Sequence, residues 1–318
     1  ALRGTLENAQ SAAGEIRSAP SELRDSGALT QLRGMIDEAA AAAAAVKLAA
    51  ADVPSMVQGI DKTVTSVGQV DFAAIGMREA GDLGILLGST LVLGRVVEQA
   101  VARDGLRTTP HHGRGVFLGG WTSACGALLD WSAQLYGPQA VAAAADLPPG
   151  AGGLMLLPYF AGERAPIWDN DARGAVLGAT LQTNAAELHR ATIDGVALSA
   201  LDLSERLLRQ TGRCELAHVG GGGSRNAALA VAISNATGLI LEVAAHAGEA
   251  IGPAVLALRA LGRQVQAKIE KRILPDAARH ARYREMLETY RALYPALADS
   301  LHALGRMTTT EEDLCQRA

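Results

Sequence analysis

The sequence predicts an α/β domain preceded by an alanine-rich helical segment, and three observations carry that expectation. From about Val67 onward, short apolar runs that read as strands alternate with longer helical periods. The apolar run Leu83–Val97 is broken at Gly88, Ser89 and Thr90, as a hairpin would be. A third apolar run, CELAHVGG, leads straight into the glycines of VGGGGSRN, and a helical pattern leaves them. Residues 1–66 differ in style. Their seven consecutive alanines, Ala39–Ala45, favour helix but bury little area, and Pro54 then interrupts the pattern. The expected division is therefore 1–66 and 67–318. Helices so poor in large apolar side chains either pack on a partner surface, so that a docking partner is one expectation, or are only marginally stable.

In chain order, LGILLGSTLVLG reads as a hairpin, RGVFLGG as a short strand, and TSACGALLDWSAQLYG as an amphipathic helix closed by Gly137. GGLMLLPYF reads as a strand ended by proline. Asn184 with Glu187 three residues later forms a capping-box pattern that opens a long helix, and Gly212 stops it. CELAHVGG, RNAALAVAISNATG and LILEV give strand, helix and strand, and EAIGPAVLALRALG gives another helix. The tail Asp276–Gly305 is helical with an interruption at Pro295, and Tyr283, Leu287, Tyr290, Leu293 and Tyr294 share one apolar face that belongs in a core.

Composition excludes several classes of function. A net charge of −4 with no basic tract argues against nucleic acid. Three widely spaced cysteines, Cys125, Cys214 and Cys315, show neither a disulfide framework nor metal spacing, so a reducing cytoplasm and no metal site are expected. The run Leu83–Val97 is too short and too broken to span a bilayer, and the opening ALRGTLENAQ lacks a signal-peptide layout. His111 and His112, after TTP, read as an exposed loop without a third ligand. The loop ERAPIWDNDARG gathers Glu163, Arg164, Trp168, Asp169, Asp171 and Arg173. It reads as an ion-paired loop pinned by Pro166 and Trp168, or as a cleft lining whose carboxylates lie near a magnesium ion.

The glycine run follows a strand and opens a helix, where bare backbone and N–H groups suit a phosphate, a ribose or a flat base. It has neither GxGxxG spacing nor a following GK[ST], so the dinucleotide and Walker readings fail. The order of the motifs GDLGILLGST, GRGVFLGGWTSACGALLDW, LPYFAGERAPIWDNDARGAVLGATLQTNAAELHRATIDGVA, VGGGGSRNAALAVAISNATG and GEAIGPAVLAL resembles the C-terminal half of FGGY-type carbohydrate kinases, the xylulose and glycerol kinases among them. The match covers roughly Asp71 to Met307. Gly174–Asp194 is similar to a signature of that family, with Ala179 where a bulkier aliphatic is usual.

The resemblance implies an actin-like ATPase (ribonuclease H-like) lobe that binds ATP with Mg²⁺, and phosphorylation of a sugar or polyol hydroxyl. It places Gly221, Gly222, Gly223 and Asn226 under the adenosine, and Gly88, Ser89 and Thr90 at the triphosphate. Two departures qualify that reading. The family's catalytic base is an Asp upstream of the hairpin glycine, and the corresponding position here is Val67, which cannot take a proton. Asp71, four residues later, and Asp61, six earlier, would each need a local insertion or deletion to substitute, so the base is left unassigned with Asp71 as the candidate. The family's N-terminal phosphate loop, Asp-x-Gly-Thr, does not occur in the sequence. The chain is thus expected to hold only the ATP-binding lobe, and a non-catalytic nucleotide-binding or interaction module, or an inactive fragment or fusion, stands as the alternative.

Overall fold

The structure is a computed structural model that describes residues 72–77, 79–100, 102–111, 115–245 and 266–307, with 255, 258 and 261. The alanine-rich segment, Asp71 and most of EAIGPAVLALRALG lie outside the described residues. Residues Asp71–Gly248 and Ala267–Ala318 belong to one compact unit, whose described part is treated below.

A seven-stranded sheet runs through this unit. Strands β1 (Leu83–Leu87) and β2 (Leu91–Val97) form the expected hairpin, with Leu87 opposite Leu91 around the turn. Strand β3 (Arg107–Pro110) pairs with β4 (Val116–Trp121), and β4 pairs with β2, all antiparallel. On its other side β1 is parallel to β7 (Leu216–Gly220), which is parallel to β8 (Ile240–Ala244); antiparallel β9 (Ile269–Ile273) closes that edge. The order is β3-β4-β2-β1-β7-β8-β9, and β5 (Met155–Leu157) and β6 (Ala175–Leu177) make a separate ribbon.

All five residues of β1 are buried, because both faces of this central strand are covered. With alternating side chains, Leu83, Ile85 and Leu87 enter the main core, while Leu86 joins Phe72, Ile75, Met77, Val96 and Phe117 on the opposite face. A Cβ at Gly84 would strike Phe72 and Met77, and one at Gly94 would strike Phe117. The two glycines thus leave the hollows that Phe72 and Phe117 occupy, with ring centroids 4.6 Å apart.

The described residues include the α-helices α1 (Gly126–Tyr136), α2 (Pro138–Ala144), α3 (Ala185–Thr211), α4 (Ala227–Thr237) and α5 (Ala277–Arg306). Helix α3 starts and stops as its sequence signals require. The Asn184 side chain accepts from the Glu187 N–H, the Glu187 carboxylate accepts from the Asn184 N–H, and Gly212 with φ of 82° ends the helix. From His189 to Ser204 every residue of α3 is buried, as befits a helix packed on all sides.

Helix α5 differs from expectation, for it continues through Pro295 without a break. Tertiary anchors flank the proline. Both the Tyr294 hydroxyl, one residue before it, and His302 Nε2, seven after it, donate to Asp169 Oδ2, so one carboxylate staples both halves of the helix. Tyr283, Leu287, Tyr290 and Tyr294 are buried, as their common face requires. His111 departs from the exposed-loop reading: at 8% exposure it is buried. Cys125 is buried and Cys214 half-buried, and both are free thiols.

Candidate functional site

Because β1 and β7 are parallel neighbours, with Leu86 opposite Gly220, both strands end at the same edge of the sheet. The turn Gly88–Thr90 and the run Gly221–Gly223 therefore come together, although more than a hundred residues separate them. Helix α1 approaches this edge end-on. The Cys125 N–H donates to the Ser89 carbonyl at 2.7 Å and the Gly126 N–H to the Gly88 carbonyl at 2.9 Å. Donors left over at the start of α1 are thus spent on the turn rather than offered to an anion.

That contact orients the turn. In a trans peptide the N–H points opposite to the C=O, so the N–H groups of Ser89 and Thr90 face away from α1. Gly88 and Ser89 are exposed and Thr90 half-buried. Among the described residues no hydrogen bond engages either hydroxyl. Two outward N–H groups and two hydroxyls form a small donor set, chemically suited to phosphate oxygens.

The glycines divide into two roles. Gly221 has φ of 90°, and a Cβ there would collide with the Leu87 carbonyl oxygen; at Gly223 it would lie 3.0 Å from the same oxygen. These two let the chain turn tightly over the end of β1. Gly222 is exposed with nothing within 4 Å of a built Cβ, so its backbone is bare for reasons that packing does not impose. Asn226 is the N-cap of α4, its Oδ1 accepting from the Leu229 N–H at 3.1 Å. Asn226→Ala should lower stability by about 1 kcal/mol, which the midpoint of thermal unfolding would read.

Within the ERAPIWDNDARG loop Asp169 pairs with His302 and Trp168 anchors the chain, as an ion-paired, pinned loop would, but Glu163 departs from that reading. Glu163, 1% exposed, meets backbone N–H groups instead of a cation: its Oε1 accepts from Ser123 at 2.8 Å and from Arg164 at 2.7 Å. Its Oε2 is buried with no hydrogen-bond partner among the described residues. Burial pushes the Glu163 pKa up to about 7, against the opposing pull of those two N–H groups and the Arg164 charge. The Tyr294 hydroxyl, more than His302, holds the Asp169 carboxyl below its ordinary value. Trp168, with φ of 56°, donates from its indole to the Gly105 carbonyl at 2.6 Å and lies edge-on to Trp121. Nothing in the residue types of this loop signalled that Glu163 would be buried.

Among the described residues no group of three or more His, Cys, Asp or Glu side chains could hold a metal ion, and no helix is long and apolar enough to cross a membrane. Asp71, the candidate base, lies outside the described residues.

Comparison with known proteins matches this architecture to one family. A model of the C-terminal domain of the FGGY family of carbohydrate kinases matches residues 83–261. The chain is 29% identical over 268 residues to the xylulose kinase of Escherichia coli (strain K12), covering 78% of this chain and 53% of that protein. It is 33% identical over 146 residues to the glycerol kinase of Janthinobacterium sp. (strain Marseille), covering 44% of this chain and 26% of the relative. The crystal structure of ligand-bound xylulose kinase from Lactobacillus acidophilus shares the fold, with a TM-score of 0.68 at 24% identity over 74% of this chain and 51% of that one. The chain spans about half the length, or less, of these relatives. It belongs to the FGGY family of carbohydrate kinases and carries that family's C-terminal domain, with its actin-like α/β fold.

Proposed function

We propose that this chain is the ATP-binding lobe of a kinase that phosphorylates a sugar or polyol hydroxyl. One observation supports the reading: parallel pairing of β1 and β7 brings the turn that carries the outward N–H groups of Ser89 and Thr90, and the glycine run with the bare backbone of Gly222, to the same edge of the sheet. In this arrangement the phosphates lie on Gly88, Ser89 and Thr90, and the adenosine lies over Gly221, Gly222 and Gly223. Asn226 shapes that floor by starting α4. Mg²⁺ arrives with the nucleotide and is held chiefly by its phosphates, as is usual for this hard cation. The division at residues 66 and 67, and a cytoplasmic setting, belong to the same proposal.

The acceptor is an alcohol, since the matched relatives are xylulose and glycerol kinases. In this reading the described residues bind the nucleotide. Orienting the acceptor hydroxyl and removing its proton need groups beyond them, with Asp71 the candidate for the second task.

Titration calorimetry of the full chain with Mg·ATP tests the proposal, with saturable one-to-one binding as the expected result. Gly222→Val places a side chain where nothing in the fold meets it, so the thermal midpoint should hold while affinity falls about tenfold or more from overpacking against the base. Wild-type affinity in that variant would sink the adenosine assignment.

A further inference from the structure

We propose that Glu163 is a positioning residue for the phosphate-facing turn, acting through the segment Thr122–Gly126. The proposal rests on the reading of Gly88–Thr90 as a phosphate site. That segment, which joins β4 to α1, grips the turn at both ends. On one side the Thr122 N–H donates to the Leu91 carbonyl at 2.9 Å, and Thr122 Oγ1 accepts from the Leu91 N–H at 3.1 Å. Leu91 is the residue directly after Thr90. On the other side Cys125 and Gly126 hold the Ser89 and Gly88 carbonyls. A Cβ at Gly126 would sit 2.6 Å from the Gly88 oxygen, so the helix start and the turn are in direct contact.

Glu163 holds this clamp at its middle. Its Oε1 takes the Ser123 N–H, between the two gripping points, while the Ala165 N–H donates to the Trp121 carbonyl at 3.0 Å just before them. The Arg164 N–H on the same oxygen fixes the carboxyl to its own loop. The carboxyl therefore transmits the position of the Glu163–Ala165 segment to the two peptides whose N–H groups face the phosphate. A carboxyl that is 1% exposed and bonded through one oxygen alone is costly, and such groups call for an explanation beyond packing.

Two measurements on the full chain test this. In Glu163→Ala, the Cys125 and Gly126 amides should exchange with deuterium about tenfold faster than in the wild type, while amides of α4 keep their rates. In the same variant the ratio of ATP to adenosine affinity should fall about tenfold, with adenosine affinity itself unchanged. Glu163→Gln keeps an acceptor oxygen at the same reach and should restore both readouts. A purely structural role would move the thermal midpoint without changing the ATP-to-adenosine ratio. If the alanine variant does not fold, Glu163→Asp, one methylene shorter, should show the same local loss. Wild-type exchange at Cys125 and Gly126 in whichever variant folds overturns the brace. Absence of ATP binding by the wild-type chain overturns the phosphate assignment of the turn, and this proposal with it, while the exchange data still report on the clamp.

Discussion

Asp194→Ala is expected to cost the fold about 3–5 kcal/mol, the range for breaking a buried ion pair from one side. Asp194 is 2% exposed and fully engaged. Its Oδ1 accepts from Arg190 Nε at 2.9 Å and from the Tyr283 hydroxyl at 2.6 Å, and its Oδ2 accepts from the Gly150 N–H at 2.9 Å. These bonds tie α3 to α5 and to the loop before β5. Removing the carboxylate strands the Arg190 guanidinium in the interior. Burial disfavours that charge, and it is now held above its ordinary pKa by Asp194 and Tyr283. Arg190 would keep only the Leu147 carbonyl, at 2.7 Å, and the Tyr283 hydroxyl, at 3.1 Å. Replacing both partners with apolar residues, as in Arg190→Met with Asp194→Leu, should cost much less, because no charge is left without its counterion. Urea unfolding of the three proteins measures this; a loss below 1 kcal/mol for Asp194→Ala would show that the network carries little of the stability. Asp194 closes the family-like signature Gly174–Asp194, and the structure gives it a packing role.

A second large effect is the pH dependence that Glu163 imposes. Its pKa lies near 4.5 in an unfolded chain and at about 7 in the fold, where burial favours the neutral form. The folded state therefore binds the proton more tightly, and the sign follows: the contribution is complete below pH 4.5 and is lost as the pH rises through about 7. Arg164 faces the carboxyl and opposes the shift, and the Tyr159 and Tyr290 hydroxyls lie close enough to feel its charge. The gap between 4.5 and about 7 corresponds to about 3 kcal/mol. Glu163→Gln cannot ionise, so its stability relative to the wild type should rise by about that amount between pH 4.5 and 8. Parallel pH profiles for the two proteins would mean that Glu163 does not carry the proton.

How far the fold was legible depended on where each signal resides. The capping box at Asn184 and Glu187, the stop at Gly212 and the turn at Gly88–Thr90 are local, written in residues three or four apart, and α3 and the β1–β2 hairpin follow them closely. Strand β9, IEKRI, was not anticipated because it is an exposed, charged edge strand with no apolar alternation to read. Helix α5 was expected to break at Pro295 but continues through it, and Asp169, far away in sequence, holds Tyr294 and His302 on either side of the proline.

The candidate site divides along the same line. Sequence by itself determined the ordered motifs, hence the family, and the kind of chemistry that a strand–glycine–helix element offers. Only the tertiary structure decided which residues share a place. Pairing of β1 with β7 brings the turn and the glycine run to one edge, and the Leu87 carbonyl separates Gly221 and Gly223, which the fold requires, from Gly222, which it leaves bare. Glu163 belongs wholly to this second class. Its burial and its grip on Ser123 come from segments some forty residues apart, and the free energy of a buried carboxyl depends on that enclosure and not on its neighbours in the chain.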